Sequence, residues 1–322
     1  MFRFWRKGRI SLLCLLAGCL LAACSGRTAE NGTEEASDRL VIVATLFPQY
    51  DFTRAIAGEY ADVTLLLPPG VESHSYDLRP SDMITIRESD LFIYTGPYME
   101  TWAETLIEDL DASVRVVNCS ERIALEQEDH YDPAGFEEEE GATGHTHELD
   151  PHVWTSPVYA ITMCETIRDA LIEADPVHAE VYTANAAAYI AELESLDAAF
   201  RQVVSEASTT TIYFGGRFAM TYFAREYGLT CVAAYDDCSA ESEPSIKRVM
   251  AMIDAMKEAG TPVLYYEELV DPKVARTIAE ETGAELVLLH SAHNVSKDDL
   301  EAGVTYLSLM WNNVEALRQG VN

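Results

Sequence analysis

The chain has 322 residues, of which 22 are basic and 54 acidic, and a formal charge of −32. Such acidity argues against a nucleic-acid binder, which needs Lys and Arg to neutralise phosphates, and against electrostatic docking on anionic lipid. Hydrophobic residues make up 48% of it, enough for the sizeable cores of one large domain or two.

Residues 1–24 place Arg3, Arg6, Lys7 and Arg9 ahead of an apolar run over 10–23. That run is short for a membrane span and has the length of a signal-peptide core. It ends in Leu21-Ala22-Ala23-Cys24, which resembles a bacterial lipobox. The expectation is a lipoprotein signal peptide and a lipidated Cys24, with an ordinary secretory signal as the plainer alternative. Either way the mature protein lies outside the cytoplasm, and a lipidated one is anchored on the extracytoplasmic face of the bacterial cell membrane. Without the leader, 18 basic and 54 acidic residues remain, a net charge of −36. Residues 25–39 are polar and aperiodic and read as a flexible tether.

From residue 40 short apolar runs alternate with helical patterns. Strands are expected at 40–46, 63–67, 91–95 and 114–118, with helices at 50–58, 81–88 and 99–110 between them. β-branched strands joined by helices imply a parallel sheet covered on both faces. Residues 156–208 are helical in composition, broken once at Asp175-Pro176. The second part, 177–207, has no Gly or Pro and carries Tyr182, Ala186, Tyr189, Leu193 and Leu196 at helical spacing. At 1.5 Å per residue it makes about 45 Å of helix, long enough to run along two lobes, or else it belongs to one of them. The strand–helix alternation then returns, with strands expected at 210–215, 229–234, 263–267 and 286–289 and helices at 218–227, 244–259, 272–282 and 305–318. The expected fold is α/β: a lobe over 40–155, linking helices over 156–208 and a second lobe over 209–322. Each lobe is a mainly parallel sheet flanked by helices, and one long rigid helix bridges the two.

Residues 121–150 hold eleven acids, one base and three histidines, His130, His145 and His147. Such a tract reads as an accessory metal-capture loop, or as a solvated insertion. Cys119 and Cys164 sit in apolar context and read as buried thiols. Cys231 and Cys238 are spaced for one local bridge, which stays open. Of the remaining histidines, His178 reads as surface. His74, His152, His290 and His293 occupy loops, and His74 and His290 each follow a strand, where open α/β sheets bind ligands. Several imidazoles converging from separate loops suit zinc.

Several motifs resemble the zinc/manganese ABC-transporter substrate-binding lipoproteins: Phe47-Pro48-Gln49-Tyr50-Asp51-Phe52, Pro68-Pro69-Gly70 leading to His74, Asp150-Pro151-His152-Val153-Trp154, residues 222–229 (YFAREYGL), and Tyr306-Leu307 with Leu309-Met310 and Asn313. The likeness covers nearly the whole mature chain. It implies two lobes bridged by a long helix, with a metal held in the cleft by four side chains, and makes His74 and His152 the first two ligands. The family's third ligand, a His or Glu, falls on Arg217, whose guanidinium offers no lone pair. Its fourth, a carboxylate beyond the last strand, falls on the segment of His290 and His293. The expected metal set is therefore His74, His152 and His290, with His293, Glu243 and Glu267 (or Glu268) as further candidates and Arg217 as a cleft residue that pairs with a carboxylate or an anion.

The resemblance implies a non-enzymatic receptor that captures Zn²⁺, less favourably Mn²⁺, and hands it to an ABC permease in the membrane, working as a lipid-anchored monomer with no nucleic-acid partner. The alternatives are a zinc-dependent hydrolase, although no HExxH or GxSxG occurs, and a metal-binding surface adhesion lipoprotein.

Overall fold

The computed structural model describes residues 39–74, 76–127, 149–235 and 244–322. Strands β1 (Leu40–Ala44), β2 (Ala61–Leu65), β3 (Leu91–Tyr94) and β4 (Arg115–Asn118) form a parallel sheet in the order β2-β1-β3-β4. Ile42 faces Val63 on one side and Leu91 on the other. The central strands are buried on both faces, which is why β1 and β3 read as near-continuous apolar runs. Helices α1 (Phe47–Ala57), α2 (Pro80–Arg87) and α3 (Ala103–Glu108) supply the crossovers. Pro48 lies in the first turn of α1, where its fixed φ costs no hydrogen bond. Gly58 ends the helix at φ +59, a conformation that disfavours any side chain.

The second sheet repeats the plan. Strands β5 (Thr211–Phe214), β6 (Thr230–Ala233), β7 (Val263–Tyr266) and β8 (Glu285–Leu288) are parallel in the order β6-β5-β7-β8. Helices α6 (Thr221–Tyr227), α7 (Ile246–Ala259), α8 (Lys273–Thr282), α9 (Lys297–Glu301) and α10 (Tyr306–Val321) accompany it. Between the sheets run α4 (Pro157–Ala174) and the 28-residue α5 (Ala179–Glu206).

Helix α5 touches both lobes. In its first half Asn185 Nδ2 donates to the Ile56 carbonyl and Tyr189 OH to Asp51, both on α1. In its second half Phe200 packs edge-on against Phe223 of α6, ring centroids 4.8 Å apart, and Asp197 accepts from Tyr227 OH. One apolar core follows the helix from Ile42 and Phe52 through Trp154, Leu193 and Phe200 to Phe214, Tyr265 and Leu317. The bridging helix expected from length is therefore present.

Strand β1 stops two residues short of its apolar run, whereas β2 lies two residues and β8 one residue earlier than expected. Helix α3 also starts later than the pattern at 99–110 suggests. The buried Glu100 carboxylate accepts from Thr45 Oγ1 at 2.5 Å, from the Thr95 N–H and from the Gly96 N–H. Those bonds hold residues 95–100 as a turn. The expected sites at Cys24, His130, His145, His147, Cys238 and Glu243 lie outside the described residues, as do the leader and residues 25–38 of the tether. Cys119, Cys164 and Cys231 are buried free thiols.

Because α5 is held by packing along one face, Phe200→Ala should cost about 3–5 kcal/mol in chemical denaturation, whereas Glu194→Ala on its exposed face should stay within about 0.5 kcal/mol.

Candidate metal centre

Loops at the carboxyl ends of the strands surround an open cleft lined by His74, His152, Arg217, Glu267, Glu268 and His293 among others. His74 lies on the segment that follows β2. His152 precedes a short 3-10 turn, Val153–Thr155, that leads into α4. Arg217 follows β5, Glu267 and Glu268 follow β7, and His293 lies between β8 and α9. This is the crevice where an open parallel sheet presents ligands.

His74 Nε2 and His152 Nε2 are 3.0 Å apart. Two nitrogens on one tetrahedral zinc at 2.0–2.1 Å stand about 3.3 Å apart, so the pair is nearly at ligand spacing. His152 is buried, and its Nδ1–H donates to Asp150 Oδ1 at 2.8 Å. That bond fixes the tautomer and leaves the Nε2 lone pair toward the cleft. Burial and the facing His152 ring lower His74 to about 4, so it is a neutral donor at physiological pH.

The same device recurs on the facing wall. His293 Nδ1 lies 2.9 Å from Glu268 Oε1, and Glu268 also accepts from Ser291 Oγ and the Ser291 N–H. Burial would lower His293, but the Glu268 hydrogen bond and charge outweigh it and raise its pKa. Glu268 is held below the usual carboxylate range: burial, which raises it, is outweighed by His290, His293 and Ser291. Among the described residues no three His, Cys, Asp or Glu side chains stand close enough to hold one ion together as arranged here. Three such side chains on one ion would have to stand closer than they do here.

His290 differs from its neighbour. It does not line the cleft, and its Nδ1 accepts the Ala292 N–H at 2.9 Å. The neutral ring then carries its proton on Nε2, leaving neither nitrogen with a lone pair to offer. Its backbone is clamped by Asn313, which accepts from the His290 N–H and donates to the His290 carbonyl. Arg217 pairs with a carboxylate, as expected: Glu267 Oε2 accepts its backbone N–H at 2.5 Å and Oε1 is 3.7 Å from its Nη1. Burial pushes Glu267 up to about 7, with Arg217 pulling the other way.

Asp150, Ser291 and Asn294 were not singled out from the sequence. A carboxylate two residues before His152 was a local signal for Asp150. Nothing local links Glu268 with His293, 25 residues away.

Two parallel-sheet lobes thus share one long helix, with imidazoles facing a cleft between them. Residues 42–320 match the model of the family described as the zinc-uptake complex component A, periplasmic, and the chain belongs to that family. It is 34% identical over 327 residues to the high-affinity zinc uptake system protein ZnuA of Bacillus subtilis strain 168, covering 100% of this chain and 99% of that one. It is 36% identical over 313 residues to the zinc-binding lipoprotein AdcA of Streptococcus pneumoniae R6, covering 96% of this chain but only 60% of AdcA. The crystal structure of the Zn(II)-bound ZnuA-like domain of Streptococcus pneumoniae AdcA superposes with a TM-score of 0.73 at 34% identity, covering 88% of this chain and 99% of that domain.

The opposite shifts of His74 and His293 are measurable. In ¹⁵N NMR of the metal-free protein His74 should stay neutral down to about pH 4, while His293 should titrate above the ordinary 6.5. Coincident titration of the two rings would contradict the geometry.

Proposed function

We propose that the chain is the extracytoplasmic receptor of a metal ABC importer, anchored through Cys24, which captures Zn²⁺ in the interlobe cleft and delivers it as a monomer to a membrane permease. The observation that carries this reading is the pair of imidazole nitrogens at 3.0 Å, with a carboxylate behind His152 that aims its lone pair. The zinc-uptake and zinc-binding names of its relatives support it.

His74, His152 and His293 are the proposed ligands, with His293 taking precedence over His290 because its Nδ1 is tied to Glu268 and its Nε2 edge is left for the ion. Glu267 or a water takes the remaining position. Neutral nitrogen donors favour Zn²⁺ over Mn²⁺, which prefers oxygen. Arg217 holds Glu267 on the facing wall and is no ligand. The function needs coordination and release, with no bond-breaking step, so the chain is not an enzyme.

Calorimetry on metal-stripped protein tests the assignment. His74→Ala, His152→Ala and His293→Ala should each weaken Zn²⁺ binding at least about 100-fold, beyond the 10–100-fold typical of outer-shell changes. His290→Ala should weaken it less than His293→Ala, and the reverse order would overturn the choice of His293.

A further inference from the structure

The loop that carries His293 is bonded directly to the loop that carries His74. Asn294, fully buried, donates from Nδ2 to the carbonyls of Pro68 and Val71, both at 2.8 Å. Its Oδ1 accepts the Val295 N–H at 2.8 Å. Beside it the Gly70 N–H donates to the Val295 carbonyl, also at 2.8 Å. One side chain thus spends its donors on backbone oxygens of the first lobe and its acceptor on the backbone of its own loop. Pro68 and Val71 belong to the base of the loop whose tip is His74, more than 220 residues away in sequence. Gly70, at φ +78, adopts the left-handed turn that brings its N–H onto Val295.

We propose that Asn294 is a positioning residue for cargo binding, locking the base of the His74 loop onto the β8–α9 loop so that histidines from both lobes sit on one preset body. The inference rests on the reading of the cleft as a metal site. It has a consequence for capture: the remaining approach is a local adjustment of residues 72–74, and the lobes do not swing apart to admit or release the ion. Without the clamp the loop must be ordered at the moment of binding, which weakens affinity.

The test uses the full-length protein. In the metal-free wild type the Gly70 amide should exchange as slowly as the strand amides of β1, and loading with Zn²⁺ should leave that protection unchanged. A freely exchanging Gly70 overturns the clamp, and this measurement decides even if variants do not fold. Asn294→Ala should release Gly70 protection, weaken Zn²⁺ binding about 10–100-fold and alter the visible absorption of the Co²⁺-loaded protein. A variant that melts earlier yet keeps wild-type Zn²⁺ affinity and Co²⁺ spectrum overturns the positioning role alone. A wild type that binds neither Zn²⁺ nor Co²⁺ overturns the proposed function itself, while Gly70 exchange still reports on the clamp.

Discussion

Loops from two separate sheets meet at the cleft, and the constraint that holds them together falls on the loop between β8 and α9. Its backbone accepts from Trp154 Nε1 at the Ser291 carbonyl, from the Phe47 N–H at the His293 carbonyl and from Gly70 at Val295. Trp154 adjoins the His152 segment, and its own carbonyl accepts from Tyr306 OH of α10 at 2.5 Å. The buried Ala292 in the middle of the loop sits at φ +61. A non-glycine residue there costs about 1–3 kcal/mol and persists only when its surroundings over-determine it. The bonds on either side do so. Helix α5 supplies the same constraint on a larger scale, since one rigid element and one continuous core serve both sheets.

The electrostatics follow from the same design. Asp150 and Glu268 are buried carboxylates, each bonded to the Nδ1 edge of a histidine. Each accepts the Nδ1–H of the ring behind which it sits, making the outward nitrogen a better donor. Glu267 is answered by Arg217, and its burial raises its pKa. Where the resemblance predicts a third ligand, the chain has a cation, and Arg217 pairs with Glu267 there. The net charge of −32 adds long-range attraction for cations but selects none of them.

Much of this was legible in the sequence. The two sheets, the bridging helix and the loop positions of His74 and His152 followed from apolar runs, an unbroken helical pattern and short motifs. The different surroundings of His290 and His293 did not. Both follow β8, and what separates them is which nitrogen is already used: the Ala292 N–H occupies one ring, and Glu268 orients the other. Those partners depend on a left-handed residue and on β7 lying beside β8, and neither has a local signature. Asn294 was invisible for the same reason, since its partners lie in the other lobe. Helix α3 misled in the opposite direction, because the buried carboxylate of Glu100 overrides a helical pattern with a hydrogen-bonded turn.

The central claim is that histidines from both lobes share one zinc ion. X-ray absorption at the zinc edge on the loaded protein tests it most directly. The account predicts a first shell at about 2.0–2.1 Å with the outer-shell scattering of three imidazoles. A shell of oxygens alone, or scattering from a single imidazole, would contradict it.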